Sequence, residues 1–198
     1  SCITFLENLG DNHQKKQITV ICNLCQACLP HNLMPIWKSG AIRNDMKLRL
    51  YQSIVLPTTI YAGETWKRTA AISNKLDVFH RRCLRTILGI SWKDHITNEE
   101  LMKRAGMEDL RDIVSTRRRR FAGHVMRLPK ERPAKIAMRW TPTEGRRKRG
   151  RPKTTWRKTF QEDLEEMGID WNSAQSAATD RSRWRSLVAR CSSRSGRN

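Results

Sequence analysis

Four residues with zinc-binding donor atoms stand at even spacing near the start of the chain: Cys22, Cys25, Cys28 and His31. Zinc takes four such donors as a tetrahedron, but its sites usually draw two ligand couples from either side of a loop, and no second couple follows here. At every third position of a helix the same cysteines line one side as small apolar residues, which is the reading we prefer. The acidic group Glu162, Asp163, Glu165 and Glu166 could be read as a metal-dependent nuclease site. Four acids within five helical residues radiate around the axis rather than converge, so a solvated face is expected instead. His124 lies beside Phe121 and Val125 and reads as a hydrogen-bonded core histidine rather than a catalytic one. No Gly-rich phosphate loop, Gly-x-Ser-x-Gly elbow or His-Glu-x-x-His string occurs. The chain is therefore expected to hold no metal, to need no cofactor and to lack a catalytic centre of its own.

The cations carry the stronger signal. The chain has 39 Lys and Arg against 19 Asp and Glu, a formal net charge of +20 over 198 residues. Residues 117–160 alone hold 17 Lys and Arg against two acids, so three quarters of the surplus sits in one block. Such a block repels itself unless a polyanion neutralises it, and nucleic acid is the leading candidate. Within it, Arg117, Arg118, Arg119 and Arg120 follow one another in a helical stretch, where steps of about 100° send the four side chains around the axis. Phosphate binding fits their planar forks, and a solvated face with one arginine snorkelling is the plain alternative. Arg146, Arg147, Lys148, Arg149, Arg151 and Lys153 form a second run among glycines and prolines, and Arg149-Gly150-Arg151-Pro152 resembles the core of an AT-hook. In such a hook glycine lets the backbone approach a narrow A·T-rich minor groove whose potential attracts arginine. A nuclear-import signal or a solvated linker would have the same composition. Trp140 and Trp156 flank this arm and could stack on bases.

These residues need elements to place them, and the periodicity predicts helices. Residues 1–33 read as a ragged start, with a possible short helix from Ile18 to Leu29 stopped by Pro30. Met46, Leu50, Ile54 and Val55 recur at helical spacing behind Asn44, and Leu56 to Gly63 reads as a kinked continuation past Pro57. Ser73 to Leu88 is the clearest element: Leu76, Phe79, Cys83, Ile87 and Leu88 share one face, Lys75, Arg81, Arg82 and Arg85 the other, and Gly89 ends it. A helix from Thr97 to Gly106 opens on a capping-box spacing. A longer one from Asp109 to Leu128 would turn Leu110, Val114, Arg117, Phe121, Val125 and Leu128 inward. Residues 129–153 break the pattern and predict a flexible arm. Trp156 to Met167, ended by Gly168, and a helix capped by Asp170 with Trp171, Ala174, Ala178, Trp184, Leu187 and Val188 inward, predict a helical hairpin over 154–190. Residues 191–198 predict a disordered tail. The fold class is thus mainly α. The Gln17–Trp37 stretch, the longest without charge, is too broken by polar residues and proline to span a membrane, so no membrane partner is expected. No secretory signal is visible, which predicts an intracellular protein with free thiols at Cys2, Cys22, Cys25, Cys28, Cys83 and Cys191. Ser1 in place of Met suggests a fragment of a longer reading frame.

Several strings together resemble one family. Lys47-Leu48-Arg49-Leu50-Tyr51-Gln52-Ser53-Ile54-Val55-Leu56-Pro57, followed by Tyr61-Ala62-Gly63-Glu64-Thr65-Trp66, is similar to the segment after the palm of LINE-type (non-LTR) retrotransposon reverse transcriptases. Phe79-His80-Arg81-Arg82-Cys83-Leu84-Arg85-Thr86-Ile87-Leu88-Gly89-Ile90 resembles their next thumb helix. Gly123-His124-Val125-Met126-Arg127, Gly150-Arg151-Pro152-Lys153-Thr154-Thr155-Trp156 and Asp180-Arg181-Ser182-Arg183-Trp184-Arg185 are similar to the family's C-terminal tail. The resemblance covers residues 34–190 and is specific in its combination and order. It implies a thumb-like helical bundle over 34–128 that grips the template–primer duplex, and a basic tail for element RNA or target DNA, in nucleus and cytoplasm. It supplies no chemistry, because the palm's paired aspartates have no counterpart here. A DNA-binding accessory or chromatin protein working through the hook-like arm on A·T-rich DNA is the alternative.

Overall fold

The computed structural model describes the backbone of residues 29–139 and 155–195, and the side chains of 33–138 and 155–191. Every regular element in that range is helical, and among the described residues there is no strand. None of these helices is long and apolar enough to cross a membrane. The chain divides into two compact units, residues 1–61 with 70–111 and residues 62–69 with 112–198. The division falls at 111/112, inside a continuous helix.

In the first unit, α1 (Leu29–Lys38) runs on past Pro30 instead of stopping there. Pro30 is its second residue, where a missing N–H removes no intrahelical bond. The first part of the expected Ile18–Leu29 helix lies outside the described residues. α2 (Asn44–Leu50) passes through a widened π turn (Tyr51–Val55) into α3 (Leu56–Thr59). The wider turn before Pro57 accommodates the ring and the lost donor, so the kinked continuation is found, but it ends at Thr59, short of Gly63. α4 (Ala70–Leu88) starts three residues earlier than its apolar period suggested and closes on Gly89 at φ +67°. α5 (Asn98–Ala105) is capped by the Thr97 hydroxyl, which accepts from the Glu100 amide, and ends on Gly106 at φ +61°. Trp37, Tyr51, Val55, Leu56, Ile60, Leu76, Phe79, Leu84, Ile87, Leu101, Ala105 and Leu110 are the buried apolar residues among those described in this unit.

α6 (Leu110–Arg127) carries the chain into the second unit. There Ala122, Val125, Met126, Met138, Phe160, Leu164, Met167, Ala174, Ala178, Trp184 and Val188 form one apolar cluster. The start of the expected arm is not irregular: α7 (Pro133–Arg139) buries Met138 in this cluster, and Lys135 Nζ donates to the Met126 and Leu128 carbonyls at the end of α6. A cation there satisfies open carbonyls and the negative helix end together. α8 (Trp156–Met167) ends on Gly168 at φ +70° as anticipated. The anticipated hairpin is three helices, not two. α9 (Trp171–Thr179), opened by an Asp170–Ser173 capping box, stops at Asp180, and α10 (Arg181–Ser195) begins there. Asp180 Oδ1 accepts from the Ser182 and Arg183 amides, so the same acid breaks one helix and starts the next. The helix reaches Ser195, into the segment expected to be a disordered tail.

Candidate nucleic-acid interface

The outer face of α4 follows from its amphipathic spacing. Leu76, Phe79, Leu84 and Ile87 are buried, which leaves Lys75, Val78 and Arg82 in solvent, Val78 at 64% exposure. Arg81 is half-buried and pairs with Asp109 at 3.0 Å. Arg85, also half-buried, donates to the Ile96 carbonyl at 2.8 Å and to Asn98 Oδ1 at 3.2 Å. Arg81, Arg82 and Arg85, with Val78, Thr86, Ile90 and Asn98, line an open depression of about 380 Å³. Two of the four cations expected on this face are thus partly committed to holding the fold, while Lys75 and Arg82 stand clear.

The four successive arginines of α6 separate into two roles. Arg120 is exposed and Arg117 half-buried, but Arg118 and Arg119 are 2% and 4% exposed. Arg118 grips Asp163 with both arms, Nε to Oδ2 and Nη2 to Oδ1 at 2.8 Å, and its Nη2 also meets Ser115 Oγ. Arg119 pairs with Glu166 and reaches toward Asp163 Oδ1 at 3.6 Å. Phosphate contact through Arg118 and Arg119 is therefore corrected: both are spent on carboxylates inside the second unit. The solvated acidic face is corrected at Asp163, which has no exposed surface, while Glu165 and Glu166 are exposed. A guanidinium buried without a counterion would be very costly, and the fork geometry of Arg matches one carboxylate.

The same acids hold residues 62–69. Arg68 Nη1 donates to Glu166 at 2.9 Å and its Nη2 to Glu162 at 3.1 Å, while the Arg68 amide meets Thr159 Oγ1. Burial disfavours the Arg68 charge, yet Glu166 and Glu162 outweigh it and hold its pKa above the usual arginine value. Trp156 also serves this contact. Its Nε1 donates to the Glu64 carbonyl at 2.9 Å and its ring stacks on Phe160 at 5.3 Å, so much of its stacking surface is already occupied.

Expectation and structure part again along α6. Phe121 is 36% exposed and His124 lies in solvent, so the inward stripe runs through Ser115, Arg118, Ala122, Val125 and Met126. The core histidine is His80 on α4, wholly buried, with Nδ1 2.7 Å from the Tyr51 hydroxyl and the two rings stacked. Burial lowers its pKa to about 4, against the opposing pull of Asp109.

The chain is similar to a transposon-derived protein. That relative, an uncharacterized protein of Caenorhabditis elegans, is 26% identical over 158 residues, covering 74% of this chain and 56% of the relative. The chain thus spans little more than half the relative's length. No protein family and no solved structure matches it.

Arg146, Arg147, Lys148, Arg149, Arg151 and Lys153, with Trp140, lie outside the described residues, as do Cys22, Cys25, Cys28 and the side chain of His31. Among the described residues no cluster of His, Cys, Asp or Glu could hold a metal ion, and neither Cys83 nor Cys191 is in a disulfide. Sequence reasoning missed the internal roles of Asp163, Arg68 and Gly123. The only signal for Asp163 was arithmetic: four arginines on one helix and four acids on another, neither able to radiate wholly into solvent.

Proposed function

We propose that this chain is a nucleic-acid-binding part of a transposon-derived protein, comparable to the thumb and basic tail of a LINE-type reverse transcriptase. It grips a template–primer duplex and element RNA or target DNA, without a catalytic palm of its own. The observation that carries this reading is the outer face of α4, where Lys75 and Arg82 stand in solvent beside an open depression lined by Arg81 and Arg85. Exposed arginine and lysine on a rigid helix suit a phosphate backbone of fixed geometry. Support comes also from the similarity to a transposon-derived relative and from the net charge of +20. The cations of residues 146–153 add affinity for the polyanion. The test is fluorescence anisotropy with an RNA–DNA hybrid and an A·T-rich DNA duplex of equal length. The hybrid is expected to bind at least as tightly, and Lys75→Gln with Arg82→Gln to weaken it. A clear preference for the A·T-rich duplex, untouched by those substitutions, would replace the thumb reading with a hook-bearing DNA-binding accessory protein.

A further inference from the structure

We propose that a row of arginines running from α6 onto α10, in the second unit, is a separate docking surface for the sugar–phosphate backbone of nucleic acid. The proposal rests on the nucleic-acid reading above but concerns residues that the α4 face does not include.

The row is fixed by how the two helices meet. Trp184 of α10 donates its indole N–H to the Arg119 carbonyl at 3.0 Å, and its ring lies where a β-carbon on Gly123 would be. Arg181, one turn before Trp184, is close enough to Arg127 for its charge to add to the burial that lowers the Arg127 pKa. Arg127 itself is anchored, donating to the Ala178 carbonyl at 2.9 Å. The flank of α6 that bears Arg127 faces the flank of α10 that bears Arg181. Helical steps then extend both flanks: His124, Arg120 and Arg117 lie three, seven and ten residues back from Arg127, and Arg185 lies one turn on from Arg181. Arg120, His124, Arg181 and Arg185 are all exposed. From Arg117 to Arg127 the α6 part alone is about 15 Å long.

Among the described residues of the unit nothing neutralises this row. Asp163, Glu166 and Glu162 are spent on Arg118, Arg119 and Arg68, and the Asp170 and Asp180 carboxylates cap helices. Among the described residues no carboxylate pairs with Arg117, Arg120, Arg127, Arg181 or Arg185. The internal network thus draws in Glu162, Asp163 and Glu166 and leaves like charges side by side outside, an arrangement that an external polyanion relieves. All five fixed cations are arginines, whose planar forks match phosphate oxygens. A row of them, rather than one cluster, suits a repeating phosphodiester chain more than a single anion. Contacts of this kind position a strand without reading its bases.

The test uses the full chain, with Arg181→Gln and Arg185→Gln combined and the α4 pair Lys75→Gln with Arg82→Gln as comparison. Anisotropy titrations over a salt series use labelled single-stranded and duplex oligonucleotides of two unrelated sequences. Losing Arg181 and Arg185 is expected to reduce the slope of log K against log salt by about 1.4 to 1.8, equally for both sequences, with an unchanged thermal midpoint by circular dichroism. An unaltered slope and affinity in that variant, alongside a reduced slope in the α4 variant, overturns the α6–α10 surface and leaves the proposed function standing. Failure of the parent chain to bind any oligonucleotide overturns both. If the double variant loses binding to phosphatidylserine vesicles but not to oligonucleotides, the row serves a lipid surface and the proposal is wrong.

Discussion

Asp163 decides whether the second unit can tolerate two arginines in its interior. Without its carboxylate the Arg118 guanidinium, 2% exposed, keeps only Ser115 as a polar partner. Breaking a buried pair from one side typically costs ~3–5 kcal/mol, whereas replacing both partners by apolar groups of similar volume is far milder. Asp163→Ala is therefore expected to lower the urea midpoint sharply, and Asp163→Leu with Arg118→Met to recover much of the loss. Equal losses in the single and the double variant would show that the pair is not the source of the effect. His80 makes a second prediction. Its folded pKa of about 4 lies below the ordinary 6.5, so above pH 6.5 both states hold it neutral and its full contribution is present. As pH falls from 6.5 toward 4 the unfolded chain takes up the proton first and stability drops, by about 3 kcal/mol at the limit. Asp77 works against this, since burial, reinforced by Asp109, raises its pKa and favours the protonated folded state. Denaturation midpoints at pH 7 and pH 4.5 should differ in that direction, and His80→Gln should shrink the difference.

At the scale of elements, α6 is held by a close approach and by its ends. Gly123 permits the Trp184 ring to lie directly on the α6 backbone, so Gly123→Ala forces either the ring or the helix to move. Overpacking of this kind typically costs ~1–3 kcal/mol. Gly40→Ala is the control, because nothing lies within 4 Å of the position and its φ is ordinary. A thermal melt should show a clear drop for the first and little change for the second. Tryptophan fluorescence should also change in Gly123→Ala, as the indole loses its bond to the Arg119 carbonyl. At the other end of the unit, Thr155 caps α8 by accepting from the Lys158 amide, and Trp156 reaches the Glu64 carbonyl. The arm expected from composition is in consequence bordered by ordered helices on both sides, α7 before it and α8 after.

Over the whole molecule the surplus of +20 is the governing quantity. If roughly 6–8 phosphates are neutralised on duplex, log K should fall against log salt with a slope of about −5 to −7. A titration giving a slope near zero would remove the electrostatic basis of the proposed function. Arm and helix should also divide their work. Arg149→Ala with Arg151→Ala should weaken A·T-rich DNA more than hybrid, and Arg82→Ala with Lys75→Ala should do the reverse. Identical losses on both substrates from both pairs would make the cations one undifferentiated field. Because Arg118 and Arg119 are occupied internally, replacing them should impair stability before it impairs binding.

By itself the sequence determined the helical class, most helix ends and the location of the charge. Gly89, Gly106 and Gly168 were legible because a left-handed residue after an apolar period has few occupants, and Thr97 and Asp170 because an N-cap acts within three residues. Such signals are local, and local chemistry reads directly from order along the chain. What the tertiary structure decided was the inward side of α6. Arg117 and Phe121 continue the period of Leu110 and Val114 as well as Arg118 and Ala122 do, and only the approach of Asp163, 45 residues away, makes the second choice favourable. The same holds for the split of one expected C-terminal helix at Asp180 and for the exchange of His124 for His80 as the buried histidine. A charged or polar side chain is stable inside only against a specific partner, and partners distant in sequence leave no periodic trace.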